Sequence, residues 1–295
     1  MKNFFLIDGF AFLYRAYYAF PEMRDMDEQN INAVYGFLRM IMKRIAQKPD
    51  YFMIAWDGPI KTFRHEIFSE YKATRKKMEN DFKDQIPLIQ SIVSELGIPT
   101  LMIPGFEADD ILASVIWRFY VDENLHFSLF TGDKDLKQLL KPRITIVDPN
   151  KDQEYKKADF LREFGFEPEF ILDYLALLGD SADNVKGVAG IGEKKALNLI
   201  QQYNSIENIY EHIDEIQPSI SGILTVGKED AFASKKLIQL AEIDLSSENL
   251  EKFRFSLDYS QWIDILGRKY HFSSLEKLLL NMRKEAEKPQ QLGLF

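Results

Sequence analysis

The chain has 295 residues, 46% hydrophobic and 28% charged, a make-up that allows a sizeable core and excludes a disordered polyelectrolyte. It has no cysteine, which excludes disulfides, thiolate nucleophiles and cysteine-rich zinc sites together and fits a reducing compartment. A formal net charge of −9 excludes a uniformly basic surface but not a local basic strip.

The opening stretch MKNFFLIDGFAFLYRAYY is broken by Asp8 and Arg15 too early for a secretory leader or a membrane span, so a cytoplasmic protein without membrane segments is expected. Residues 4–7 read as a short buried strand that runs into Asp8 and Gly9. Helical spacing follows over 31–47, and a second strand over 52–56 ends at Asp57. Residues 86–96 read as a helix and 98–103 as a strand; the acids after Gly105 then open a helix that reaches about Tyr120. Residues 127–130 form a strand leading to Asp133, and 144–147 read as the last one. Strands separated by helices predict an α/β fold on a mostly parallel sheet, whose ligands sit beyond the carboxyl ends of the strands. Asp8, Asp57 and Asp133 all fall at that end. After about residue 155 the strand signals stop. Helical patterns over 167–178, 194–203, 228–243 and 274–285 predict a helical C-terminal half packed on the α/β part, with a polar tail from about 285.

Asp8, Asp57, Glu107, Asp109, Asp110, Asp133, Asp135, Asp180 and Asp183 form the motif set that carries chemistry. Each has a plain alternative: EADD at 107–110 suits a helix N-terminus, DKD at 133–135 a surface turn, and GDSAD at 179–183 a helix-terminal loop. So many carboxylates at one sheet edge would repel, and hard divalent cations with oxygen ligands resolve the conflict. Two such ions suit an in-line displacement at phosphorus. The four histidines, His65, His126, His212 and His271, are scattered and offer no zinc-binding helix.

Two further stretches point to nucleic acid. Residues 61–77 gather Lys61, Arg64, Lys72, Arg75, Lys76 and Lys77 with Phe63, Phe68 and Tyr71, a basic and aromatic mixture suited to single strands; a solvated amphipathic helix is the alternative. Residues 185–195, VKGVAGIGEKK, place Gly187, Gly190 and Gly192 before Lys194 and Lys195. The spacing is not that of a dinucleotide fingerprint, and no strand precedes it. A helix–hairpin–helix that holds a backbone phosphate fits better, with an unliganded glycine loop as the alternative.

Together these stretches resemble the 5′-nuclease family of flap endonucleases, most of all the 5′–3′ exonuclease domain of bacterial DNA polymerase I. The resemblance rests on FLIDG with LYRAYYA, NAVYGF, AWDG with FRHE and YKATRKKM, PGFEADD, TGDKDLKQLL and LLGDSADNVKGVAGIGEKKA, in order over about residues 3–280. It implies a PIN-like α/β nuclease core over 1–180 with a helical arch at about 61–95, and a helix–three-turn–helix DNA-binding region over 181–284. It implies one metal at Asp8, Asp57, Glu107 and Asp109 and a second at Asp133, Asp135, Asp180 and Asp183, with Asp109 and Asp110 near both. The ions would be Mg2+ or Mn2+, with K+ at the hairpin. Lys72 and Arg75 would contact the scissile phosphate, with Asp8 and Asp133 the central catalytic acids. Tyr71 would lie beside an unpaired base, and Arg15, Arg64 and Lys76 would also face DNA. The implied activity is two-metal 5′–3′ exonuclease and flap endonuclease cleavage of DNA with a 5′ flap or 5′ end, including RNA–DNA primer strands, by a monomer associated with the nucleoid. Within 295 residues there is no room for a polymerase domain, so a free-standing nuclease or an isolated nuclease domain is expected. The final residues 291–295, QLGLF, look like the peptide by which bacterial replication proteins bind the sliding clamp, with Gln291, Leu292, Leu294 and Phe295 as its anchors in a tail over 285–295.

Overall fold

Residues 1–288 are described in a computed structural model of the protein. The apolar runs become six strands: β1 (Lys2–Asp8), β2 (Tyr51–Trp56), β3 (Thr100–Met102), β4 (Leu125–Phe130), β5 (Ile144–Asp148) and β6 (Gln153–Tyr155). Helices α1 (Gly9–Ala19), α2 (Asn32–Ile45), α3 (Phe63–Ile67), α4 (Asn80–Glu95) and α5 (Ala108–Phe119) lie between the first four. After β6 come α6 (Lys157–Phe164), α7 (Ile171–Leu178), α8 (Glu193–Tyr203), α9 (Ile206–Glu211), α10 (Pro218–Val226), α11 (Lys228–Ile238), α12 (Tyr259–Ile263) and α13 (Ser273–Ala286).

The strands order as β3-β2-β1-β4-β5-β6, all parallel except β6, which pairs antiparallel with β5. The α/β expectation is met, and β6 is an addition: its three residues carry little apolar patterning on an exposed edge. All of β2 is buried, as a parallel strand covered on both faces requires. Alternation along β1 sends Phe4 and Leu6 into one core and Phe5 and Ile7 into the other. The first core continues through α5 (Ile111, Val115) into α7, α8 and α11; the second holds α1, α2 and α4 and is closed by Trp262 and Leu279. The C-terminal helices thus pack on both faces of the sheet, and Trp262 Nε1 donates to Leu96 O at 2.9 Å.

The chain passes from β1 out through β2 and β3, then returns to β4 on the other side of β1. That reversal opens a crevice at the carboxyl ends of β1 and β4. Among the described residues, no helix is long and apolar enough to cross a membrane.

Candidate active site

Asp8 closes β1 and caps α1, accepting from the Ala11 N–H at 2.9 Å. Asp57 is the first residue beyond β2 and accepts from the Ala108 N–H at 2.7 Å, which sets the start of α5 and carries Glu107 and Asp109 to the same edge. On the far side of the crevice the Thr131 hydroxyl accepts from the Asp133 N–H at 3.0 Å, and Asp133 accepts from the Asp135 N–H at 2.8 Å. The loop beyond α7 is closed by a reciprocal pair of 2.7 Å backbone bonds between Asp180 and Val185, and brings Asp180 and Asp183 over that wall.

The electrostatics show that these acids converge. Burial pushes the Asp8 carboxyl up to about 7; the Ala11 bond opposes this, and the charges of Asp57 and Asp133 add to it. Asp135 rises to about 8, through burial and then the charge of Asp133. Asp109 is raised well above the carboxylate range by burial and by Asp133, Asp8 and Asp57. Burial also raises Asp57 and Asp133. Lys72 pulls the other way on Asp8, Asp57, Asp109 and Asp133. Burial works against Asp180 too, but Lys134 Nζ at 3.0 Å and the Ala182 N–H outweigh it and leave that carboxyl low.

Asp109 Oδ1 and Asp135 Oδ1 are buried with no hydrogen-bond partner. Desolvated carboxylate oxygens without donors are costly unless a cation satisfies them, so the donor set fits hard divalent ions. Among the described residues no three acids already form a ligand shell. Two of them are engaged by the basic strip instead: Lys72 Nζ lies 2.7 Å from Glu107 Oε1, and Arg75 Nη2 lies 2.5 Å from Asp183 Oδ1.

Several expectations are corrected. Residues expected as a helical arch at about 61–95 hold the short α3, a series of turns through Arg75, and α4, which packs its buried Phe82 and Ile89 in the core with α1 and α2. The turns fold onto the 180–184 loop: the Lys72 N–H donates to Asp183 O at 3.0 Å and Asn184 Nδ2 to Glu70 O at 2.9 Å. Arg64, expected on DNA, is only 3% exposed and forms a fork on Asp110 at 2.7 and 2.8 Å. Asp110, expected beside the metals, is fully buried in that pair and also accepts from the Ala241 and Glu107 N–H groups. Tyr71, expected beside a base, is buried with its hydroxyl 3.2 Å from Glu107 Oε2, because the turns press its ring inward beside His65. Burial and the Glu107 charge raise that phenol.

Other residues keep an exposed place. Lys76, Lys194 and Lys195 are on the surface, and half-buried Arg15 reaches Asn150 O at 3.4 Å. In the hairpin, Gly190 and Gly192 are exposed and Gly192 caps α8. Gly187 is not free to meet a phosphate: it is buried and its N–H donates to Ser234 Oγ at 3.1 Å. Its φ is +64°, and a Cβ there would stand 2.3 Å from the Leu178 carbonyl carbon, so glycine permits the close crossing of the two chain segments. Sequence reasoning missed Lys134 as the partner of Asp180; its signal was a lone cation between two crevice acids. Gln291, Leu292, Leu294 and Phe295 lie outside the described residues.

A family model described as 5′-3′ exonuclease, N-terminal resolvase-like domain, matches residues 3–165, and one described as 5′-3′ exonuclease, C-terminal SAM fold, matches 166–258. A 5′-3′ exonuclease of Aquifex aeolicus is 36% identical over 299 residues, covering 100% of both chains. The thermostable DNA polymerase I of Thermus thermophilus is 36% identical over 279 residues, which are 92% of this chain and 33% of the polymerase. A solved structure of bacteriophage T5 flap endonuclease, in a pseudo-enzyme-product complex with DNA and metal ions, superposes with a TM-score of 0.64 over 96% of this chain and 100% of that one. At 20% identity that likeness concerns the fold alone.

Proposed function

We propose, because this chain belongs to the 5′–3′ exonuclease family, that the carboxylate crevice between β1 and β4 hydrolyses DNA phosphodiesters with two bound divalent cations. The chain is a nuclease that acts on DNA from a 5′ end. The observation that carries the metal reading is the pair of buried, unpartnered oxygens on Asp109 and Asp135 among acids that raise one another's pKa.

Asp8, Asp57, Glu107 and Asp109 are the residues that would hold one cation, and Asp133, Asp135, Asp180 and Asp183 the other. Bound there, Mg2+ or Mn2+ supplies an ionised water and charge at the leaving oxygen. The chain's own contribution is orientation. Asp57 holds the start of α5, and the Thr131–Asp133–Asp135 turn presents the opposite wall. Lys72 and Arg75, paired here with Glu107 and Asp183, would supply positive charge to the phosphate.

The exposed Gly190 and Gly192 turn, with Lys194 and Lys195, suits a duplex backbone, and K+ is the ion we assign to that hairpin. Arg15 and Lys76 extend the basic track. The substrate we favour carries a 5′ flap or 5′ end, RNA–DNA primer strands included, and the enzyme works as a monomer on the nucleoid in the cytoplasm. Residues 1–180 form its nuclease core and 181–284 its DNA-binding region. The QLGLF peptide at 291–295 binds the sliding clamp; deleting it abolishes clamp affinity in a titration, and unchanged affinity removes this partner.

The deciding experiment is cleavage of a 5′-labelled flap with and without Mg2+, beside the matching single strand and blunt duplex. Metal-dependent release of a short 5′ product near the junction is the expected result. Tight flap binding with no cleavage under Mg2+ or Mn2+ overturns the reading.

A further inference from the structure

We infer that the Arg64–Asp110 pair is a positioning device: it holds the first turn of α5 so that Glu107 and Asp109 face the crevice, and Asp110 is not itself a metal ligand. The inference rests on the metal-dependent reading of the crevice and deepens it.

Asp110 has no acceptor capacity to spare. Its Oδ1 takes Arg64 Nη2 at 2.8 Å and the Ala241 N–H at 2.8 Å; its Oδ2 takes Arg64 Nη1 at 2.7 Å and the Glu107 N–H at 3.2 Å. Two donors on each oxygen account for the lone pairs of a carboxylate. A cation there would have to break a fully buried, bidentate ion pair, the arrangement in which one partner's loss is most costly. By contrast, Asp109 Oδ1 has no partner at all. Neighbouring positions on a helix point about 100° apart, so turning Asp110 away from the crevice turns Asp109 toward it.

The guanidinium is anchored from a third side. Arg64 Nε donates to Leu237 O at 2.7 Å and Nη2 to Gln239 O at 3.0 Å. Ala241, bonded to Asp110 through its N–H, receives the Ser114 hydroxyl on its carbonyl at 3.2 Å. Arg64 therefore locks α3, the first turn of α5 and the 237–241 segment at the end of α11 into one unit. Its Nη1 also stands 3.5 Å from Glu107 Oε2, so the same group biases the carboxylate that Lys72 holds from the other side. Partners that orient ligands in this way are commonly worth about 10–100-fold in metal affinity.

The test is Mn2+ titration of the full chain followed by electron paramagnetic resonance, at a temperature well below each variant's melting point. The variants are Arg64→Gln, Arg64→Lys, Asp110→Asn and the double R64Q/D110N, with Asp133→Asn as a control. The positioning role predicts that Arg64→Gln and Asp110→Asn each weaken Mn2+ about 10–100-fold, and that the double is no weaker than the worse single. Arg64→Lys keeps the charge but not the fork, and is expected to weaken Mn2+ as well, which keeps the test readable if Arg64→Gln does not fold. If Arg64 variants leave Mn2+ affinity unchanged or tighten it while Asp110→Asn weakens it, Asp110 is a ligand and the proposal is overturned. If the wild type and Asp133→Asn bind Mn2+ alike, the metal reading of the crevice has failed, and this inference goes with it.

Discussion

Lys72 is held to the two arms of the crevice at once: its Nζ lies 2.7 Å from Glu107 Oε1, and its backbone N–H donates to Asp183 O at 3.0 Å. Its φ of +58° is the conformation that turns the chain back over the acids. On the proposed metal-dependent reading, Glu107 would serve a cation and the Lys72 charge would then face the phosphate. Lys72→Ala is expected to lower the single-turnover cleavage rate by about 10²–10³-fold, the size of losing one preorganised electrostatic contact. Flap affinity should stay nearly constant. A loss confined to affinity would make Lys72 a binding residue only.

Asp133 shapes the far wall through the Asp135 N–H and raises the pKa of Asp8, Asp109 and Asp135. Asp133→Asn keeps the acceptor oxygen for that N–H but removes the charge. Turnover should nearly vanish while flap binding persists in a gel-shift assay. Wild-type rates in this variant would remove Asp133 from the metal set.

The pH dependence follows from Asp8 and Asp135, raised from 3.8 to about 7 and about 8. The folded protein holds protons that the unfolded chain has released, so the contribution of these groups to stability falls as pH rises from about 4 and levels off above about 8. In metal-free protein, Asp8→Asn should raise the melting temperature by an amount that grows over that interval. A gain that shrinks with rising pH contradicts the shift. Cations must also displace these protons, so Mn2+ affinity should weaken as pH drops below about 7.

The hairpin glycines separate folding from binding. Gly187→Ala puts a Cβ 2.3–2.5 Å from the backbone of Leu178 and Gly179 at a positive φ, and should cost roughly 2–4 kcal/mol in a denaturant melt. Gly192 has nothing within 4 Å of the same added atom. Gly192 caps α8, so Gly192→Ala should cost about 0.5–1 kcal/mol, well below the Gly187→Ala loss, and show weaker duplex binding; unchanged binding would take this amide face out of the DNA interface.

Much of the fold was legible in local pattern. An unbroken apolar run marked β2, a run broken by Ser128 marked β4, helical periods marked α2 and α5, and acids just past strand ends marked the crevice. β6 and α6 were not, because a three-residue edge strand and an eight-residue helix with one buried side chain carry little periodicity. The basic strip misled for a related reason. Its charges and aromatics suit a solvated helix as well as a DNA clamp, and nothing local says that the turns fold back so that Tyr71 goes inside.

What the sequence determined by itself is the succession of strands β1 to β5, the main helices between and after them, and the set of acids near the strand ends, since strand and helix periods are properties of neighbouring residues. Only the tertiary structure decided which acids face the crevice and which are consumed as counter-ions. Asp109 and Asp110 are adjacent and look interchangeable in EADD. One keeps a buried, unpartnered oxygen, while the other is neutralised by Arg64, 46 positions away, and bonded by Ala241, 131 positions away. Charge pairing depends on distance in space, and no local pattern records it.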